Sequence, residues 1–135
     1  MTPKTKYFSE DSSGYPAYTG PEEFRVLGVW ITGDVQLSPH TVLDMVDVIH
    51  GVSTGRVEAP QELSGNAFYV EADRDIVSVQ NEFVEHVADE FTPREVLDAL
   101  LDFWQYCTLV VPDRVTEDHA TYLEEHGRDP LTAFE

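Results

Sequence analysis

Glu95, Asp98 and Asp102 recur at i, i+3 and i+7, a spacing that lays three carboxylates along one stripe of a helix. From Glu71 to Asp102 the chain carries ten acids against Arg74 and Arg94 alone. A second group comes from two alternating segments, whose outward positions hold Tyr69, Glu71, Gln80 and Glu82. An aromatic ring beside acids is the composition of a protein-binding hot spot. The chemistry on offer is charge recognition. These carboxylates would meet the lysines and arginines of a basic partner, and complementary charge would speed association towards ~10⁸ M⁻¹s⁻¹ or more at low salt. The plainer reading makes the same acids the solvated side of a core helix and an ordinary exposed sheet face.

Other chemistries are poorly supplied. His119 and His126 stand seven apart with Glu125 nearby, and His86 lies close in sequence to Glu82, Glu85 and Glu90. Neither group has the HExxH or clustered Cys/His spacing of a metal site. Cys107 falls on the apolar arc of its helix, where a thiol is inert. Carboxylates are abundant, but acid–base catalysis needs particular perturbed groups in a cleft. No Gly-rich phosphate loop is present. The sequence therefore offers no catalytic residue, no metal and no cofactor, and the expectation is a protein that is not an enzyme. Trp30, Trp104, Phe24, Phe68 and Phe103 are enough to line a small-molecule pocket, but at their helical and strand spacings they read more simply as core.

The charge balance sets the partner class. Of 135 residues, 26 are acidic and 8 basic, for a net of −18, and both lysines, Lys4 and Lys6, lie in the first six positions. Such a chain does not grip nucleic acid, because phosphate binding relies on Lys and Arg displacing condensed counterions. Halophilic or solubility adaptation is a competing source of the acidity. With 41% apolar residues and 11% aromatics, the chain has the means for one folded domain, 1–135, rather than a disordered acidic segment. A single cysteine excludes an internal disulfide and fits a reducing interior. No apolar stretch approaches the ~20 residues that span a bilayer. The opening MTPKTKYFSED lacks the apolar centre of a secretory signal, so the expected location is the cytoplasm.

The elements that must position these residues follow from punctuation and period. A short strand is expected over Lys4–Phe8, then a Gly/Pro/Ser-rich loop over 9–23. FRVLGVWIT, Phe24–Thr32, is an apolar run of strand length closed by Gly33-Asp34, and reads as a buried strand. Ser38-Pro39 opens a helix near 39–50 that Gly51 ends. The stretch from Gly51 to Gly65 is a connection without clear period. Asn66–Ala72 and Ile76–Phe83 flank Asp73-Arg74-Asp75 as a hairpin, with Phe68, Val70, Ala72, Val77, Val79 and Phe83 facing the core. Thr92-Pro93 with Glu95 is a capping box opening a helix near 93–107. On this helix Val96, Leu97, Leu100, Leu101, Phe103, Trp104 and Cys107 form the apolar arc, opposite Glu95, Asp98, Asp102 and Gln105. TLVVP then reads as strand, and a polar helix near 116–126 ends at Gly127.

The first strand KYFS, the segment LSGNAFYVEAD with its turn and IVSVQNEF, and the helix FTPREVLDALLDFWQYC together resemble small bacterial immunity proteins of contact-dependent inhibition and other polymorphic toxin systems. In those families a Trp- or Leu-led SGN segment begins a hairpin and a helix with a W-x-x-aromatic pattern follows. Here Leu63 leads Ser64-Gly65-Asn66, and the helix carries Trp104, Tyr106 and Cys107. The likeness spans roughly 63–108 and carries over no catalytic residue. It implies a cytoplasmic antitoxin that binds and neutralises one cognate toxin, in acidic members a basic nuclease, by occupancy.

The combined expectation is a single α+β domain, its small, mostly antiparallel sheet packed on helices near 39–50 and 93–107. Its partner would be a basic protein, bound through Tyr69, Glu71, Gln80, Glu82, Glu95, Asp98 and Asp102. An acidic adaptor or DNA-mimic inhibitor is the alternative, and a small ligand-binding domain or enzyme the third.

Overall fold

A computed structural model describes residues 6–9, 16–63 and 65–134, with backbone only for 6–9. The order is β1 (Lys6–Ser9), β2 (Pro16–Thr19), a 3₁₀ turn Glu22–Phe24, α1 (Arg25–Trp30) running on as a π-turn Ile31–Val35, and α2 (Pro39–Thr54). Then come β3 (Gln61–Glu62), β4 (Phe68–Ala72), β5 (Val77–Asn81), β6 (Ala88–Phe91), α3 (Pro93–Val110), α4 (Pro112–His126) and a 3₁₀ segment Pro130–Phe134. β1 and β2 form an antiparallel ribbon, and β3-β4-β5-β6 an antiparallel sheet in sequence order. The class is α+β, as the sequence leads one to expect.

The firm signals produce the elements they predict. Ser38 Oγ accepts the Thr41 N–H at the start of α2. Thr92 and Glu95 close a reciprocal capping box, with Glu95 N donating to Thr92 Oγ1 at 3.1 Å and Thr92 N to Glu95 Oε1 at 2.9 Å. Phe68, Val70, Ala72, Val77 and Val79 are buried from the two hairpin strands. They share one core with Leu43, Val46, Leu100 and Phe103 of α2 and α3, while α1 lies against β5 and β6.

Several expectations are corrected. Phe24–Thr32 is helical. Leu27, Trp30, Ile31 and Val35, at i, i+3, i+4 and i+8, are the buried positions, a helical period that a continuous apolar run conceals. Gly28 survives inside α1 because the Tyr18 ring lies where its Cβ would be. Gly51 does not end α2; Gly55 does, in the left-handed conformation at φ 84°. The 9–23 stretch holds strand β2 as well as loop; its residues 10–15 lie outside those described, as do residues 4 and 5 of the expected first strand. TLVVP is not a strand: Thr108–Val110 complete the last turn of α3, and Pro112 opens α4 four residues ahead of the expected Thr116. Gly127, at φ 69°, ends α4 as expected. Phe83 is not core; β5 stops at Asn81 and the ring is 78% exposed.

Candidate functional site

The outward face of the sheet follows from its register. Glu62 stands opposite Glu71, Glu71 opposite Ser78, and Ser78 opposite Glu90, so one row crosses all four strands with three carboxylates in it. The neighbouring row is Tyr69, Gln80 and Ala88. Strand alternation puts both rows on the face opposite the buried Phe68, Val70, Ala72, Val77 and Val79. Tyr69 Oη donates to Glu71 Oε2 at 3.0 Å. That bond, reinforced by the charges of Glu71 and Glu62, raises the phenol pKa above its ordinary value. Ser78, Val79, Gln80, Ala88, Asp89 and Glu90 line a shallow open depression over β5 and β6. Among the described residues, no Lys, Arg or His forms an ion pair with Glu62, Glu71, Glu82 or Glu90.

The expected binding residues separate into two groups. Tyr69, Glu71 and Gln80 come together on this face, with Glu82 just past the end of β5, its N–H bonded to Ala67 O at 2.8 Å. Glu95, Asp98 and Asp102 belong to another layer, since α3 packs chiefly on α2 and also on α4, α1 and β1. They are engaged where they stand. Glu95 closes the capping box, Asp98 pairs with Arg94 at 3.1 Å, and Asp102 is half-buried. Arg94 also lies over the Phe134 ring, 5.8 Å from its centroid. The α3 stripe serves the helix and its tail before it serves any partner.

Two polar constructions that sequence reading missed hold the scaffold. Asp47 is 7% exposed on the core side of α2. Its carboxylate accepts from Arg56 Nη2 at 2.8 Å, Arg128 Nε at 2.9 Å, Arg128 Nη2 at 2.5 Å and Tyr122 Oη at 3.0 Å. Burial alone would push the Asp47 carboxyl up, but the hydrogen bonds from Arg128 and Tyr122 and the charges of Arg56 and Arg128 outweigh it, leaving the group below its ordinary value. Tyr122 moves the opposite way, raised by burial and by its bond to Asp47. Gly51 belongs to this construction: a Cβ there would meet Arg56 Nη2 at 2.6 Å, so the glycine lets the guanidinium cross the helix to reach Asp47 one turn back. The signal was present in the sequence, because an aspartate at i+4 from Leu43 and beside Val46 sits on the apolar arc and must have partners.

Asp34 makes the second construction. From the π-turn, its carboxylate accepts the N–H groups of Ala67 at 3.1 Å and Phe68 at 3.0 Å, tying α1 to the start of β4. Gly65 allows that approach, since a Cβ there would lie 2.6 Å from Asp34 Oδ2. Gly65 therefore acts as a seat for a carboxylate rather than simply as a turn before the hairpin.

The remaining candidates are structural. Trp30, Phe68 and Phe103 are fully buried, Trp104 nearly so, and Phe24 packs against Phe91 with centroids 6.5 Å apart. Cys107 is buried, and desolvation pushes its thiol up to about 12. His119 bonds Asp129 at 2.9 Å and meets Trp104 edge-on, while His126 stacks on Tyr122 at 4.0 Å. Among the described residues no three His, Cys, Asp or Glu side chains converge to hold a metal, and no helix is long and apolar enough to cross a membrane. No family model matches the chain, and comparison with curated proteins and with solved structures gave no match.

Proposed function

We propose that this protein is an immunity protein that binds a toxin domain with a basic surface and neutralises it by occupancy, with the outward face of the β3–β6 sheet as the contact. One observation carries the reading: the row Glu62–Glu71–Ser78–Glu90, beside the exposed Tyr69, presents carboxylates without cationic partners among the described residues on a chain of net charge −18. A nuclease holds nucleic acid with Lys and Arg, and a fixed row of carboxylates competes for those same groups. The α3 stripe adds long-range field but has its first carboxylates committed to the cap and to Arg94. The likeness of residues 63–108 to immunity proteins points the same way, although Gly65 and the capping box also have structural work here.

The test is capture of partners by the tagged protein at about 0.15 M and again near 0.5 M salt, where exposed charge is increasingly screened, followed by growth rescue when the captured partner is co-expressed. One basic partner retained at both salts, toxic alone and harmless with this protein, is the expected result. Glu71→Lys with Glu90→Lys should weaken the complex about tenfold at 0.15 M salt, and Glu124→Lys on α4 much less. A partner that binds without growth rescue, or a set of basic proteins all lost together at the higher salt, overturns the reading.

A further inference from the structure

Phe24, Phe68, Phe91, Phe103 and Phe134 lie in or against the core, whereas Phe83 is 78% exposed in the loop between β5 and β6. The loop is closed, not loose. Asn81 Oδ1 accepts the N–H groups of Phe83 at 2.8 Å and Val84 at 3.0 Å, Asn81 N donates to Val87 O at 2.8 Å, and Val87 N to Val84 O at 3.0 Å. Val84 is also exposed, and Glu82 and Glu85 flank the pair. Register fixes where the loop emerges. Asn81 pairs with Phe68 and Gln80 with Tyr69, so Phe83 leaves the sheet at the end where Tyr69 stands on the acidic face.

A loop backbone closed by four hydrogen bonds carries the exposed ring to a partner on an ordered base, which removes much of the backbone cost of binding. Its acidic border selects the partner. A second copy of a chain at −18 is repelled, whereas a surface rich in Lys and Arg is attracted. We infer that Phe83, with Val84 beside it, is the apolar anchor of the acidic face and seats against an apolar recess bordered by Lys and Arg on a basic protein. This rests on the reading that the acidic face binds such a protein.

Two synthetic peptides of equal length and charge test it by fluorescence anisotropy at 0.15 M salt: one spaces its lysines with leucine and valine, the other with glycine and serine. The full-length protein should bind the first about tenfold more tightly. Phe83→Ala should reduce that preference to within about twofold with Tm unchanged, since the ring lies outside the core. Phe83→Leu should keep most of it. Leu109→Ala, which removes an 83% exposed side chain at the end of α3, should leave it intact. Equal binding of both peptides, or a preference that survives Phe83→Ala, overturns the anchor and leaves a charge-only acidic face standing. Binding of neither peptide removes the acidic-face reading and the anchor together. A homodimer in sedimentation that Phe83→Ala dissolves makes a second copy the occupant and also overturns the inference.

Discussion

Asp47→Asn removes the charge on which Arg56, Arg128 and Tyr122 converge while nearly preserving volume. Breaking a fully buried ion pair costs about 3–5 kcal/mol, but the two arginine side chains here are 39% and 46% exposed and regain much of their hydration. The buried Tyr122 hydroxyl keeps an acceptor in the amide oxygen, so the expected loss is about 2 kcal/mol; Asp47→Ala, which also orphans that hydroxyl, should lose about 3 kcal/mol. For a chain of this length each kcal/mol lowers Tm by roughly 3–5 °C, so the two variants should melt about 8 and 12 °C below the wild type. Urea titration followed by the fluorescence of the buried Trp30 and Trp104 reads the difference directly. The pH dependence separates charge from shape. The folded-state pKa of Asp47 lies below its unfolded value of about 3.9, so its stabilisation is complete above about pH 5 and is lost as pH falls through the folded value. The gap between wild type and Asp47→Asn should therefore be full at pH 7 and shrink below pH 4. Taking the difference cancels the relaxation of repulsion among the other carboxylates. A gap under about 0.5 kcal/mol at pH 7, or one that persists unchanged at pH 3, would refute the argument.

Gly51→Ala should destabilise the fold by about 1–2 kcal/mol even though alanine favours helix by up to ~1 kcal/mol, because the new methyl meets Arg56 Nη2 at 2.6 Å and Val57 Cγ2 at 2.5 Å; in a background carrying both Arg56→Ala and Val57→Ala the cost should fall by more than half in the same urea assay. Gly65→Ala and Asp34→Ala should each cost about 1–3 kcal/mol, and their double mutant clearly less than the sum, since both break one carboxylate seat. Cys107 should resist thiol reagents at pH 8 in the native protein and react at once in urea, its thiol pKa being pushed up to about 12. Glu62→Gln should stabilise the isolated protein by a few tenths of a kcal/mol at low salt, because Glu62 and Glu71 stand directly opposite with like charge. That gain should vanish near 0.5 M salt.

What was legible in the sequence was whatever local chemistry enforces. Ser38-Pro39, Thr92-Pro93 with Glu95, and the alternation around Asp73–Asp75 mark α2, α3 and the hairpin because caps and strand period act within a few residues. FRVLGVWIT misleads because strand and buried helix share a continuous apolar run, and its valines and tryptophan favour the strand reading until Leu27, Trp30, Ile31 and Val35 are seen on one side. Thr108–Val111 misleads for a related reason: β-branched residues finish α3 because its inner face, through Cys107, is already buried. The alternation of β5 carried past Asn81 puts Phe83 in the core, but the Asn81 side chain accepts the N–H groups of Phe83 and Val84 and the strand ends there. Within the candidate site, Tyr69, Glu71 and Gln80 were recoverable from period two. Their alignment with Glu62 and Glu90 was not, since register depends on strands that sequence reading does not pair.

The Asp47 construction also orders events during synthesis. Its carboxylate is matched by Tyr122 and Arg128, 75 and 81 positions later in the chain. At roughly 5–20 residues per second, a ribosome supplies them about 4–16 s after Asp47 itself. Until then α2 carries an acid on its apolar side with only Arg56 to answer it. A chain that stops before α4 lacks both of these partners, so the native core closes only when α4 and the residues just after it are in place.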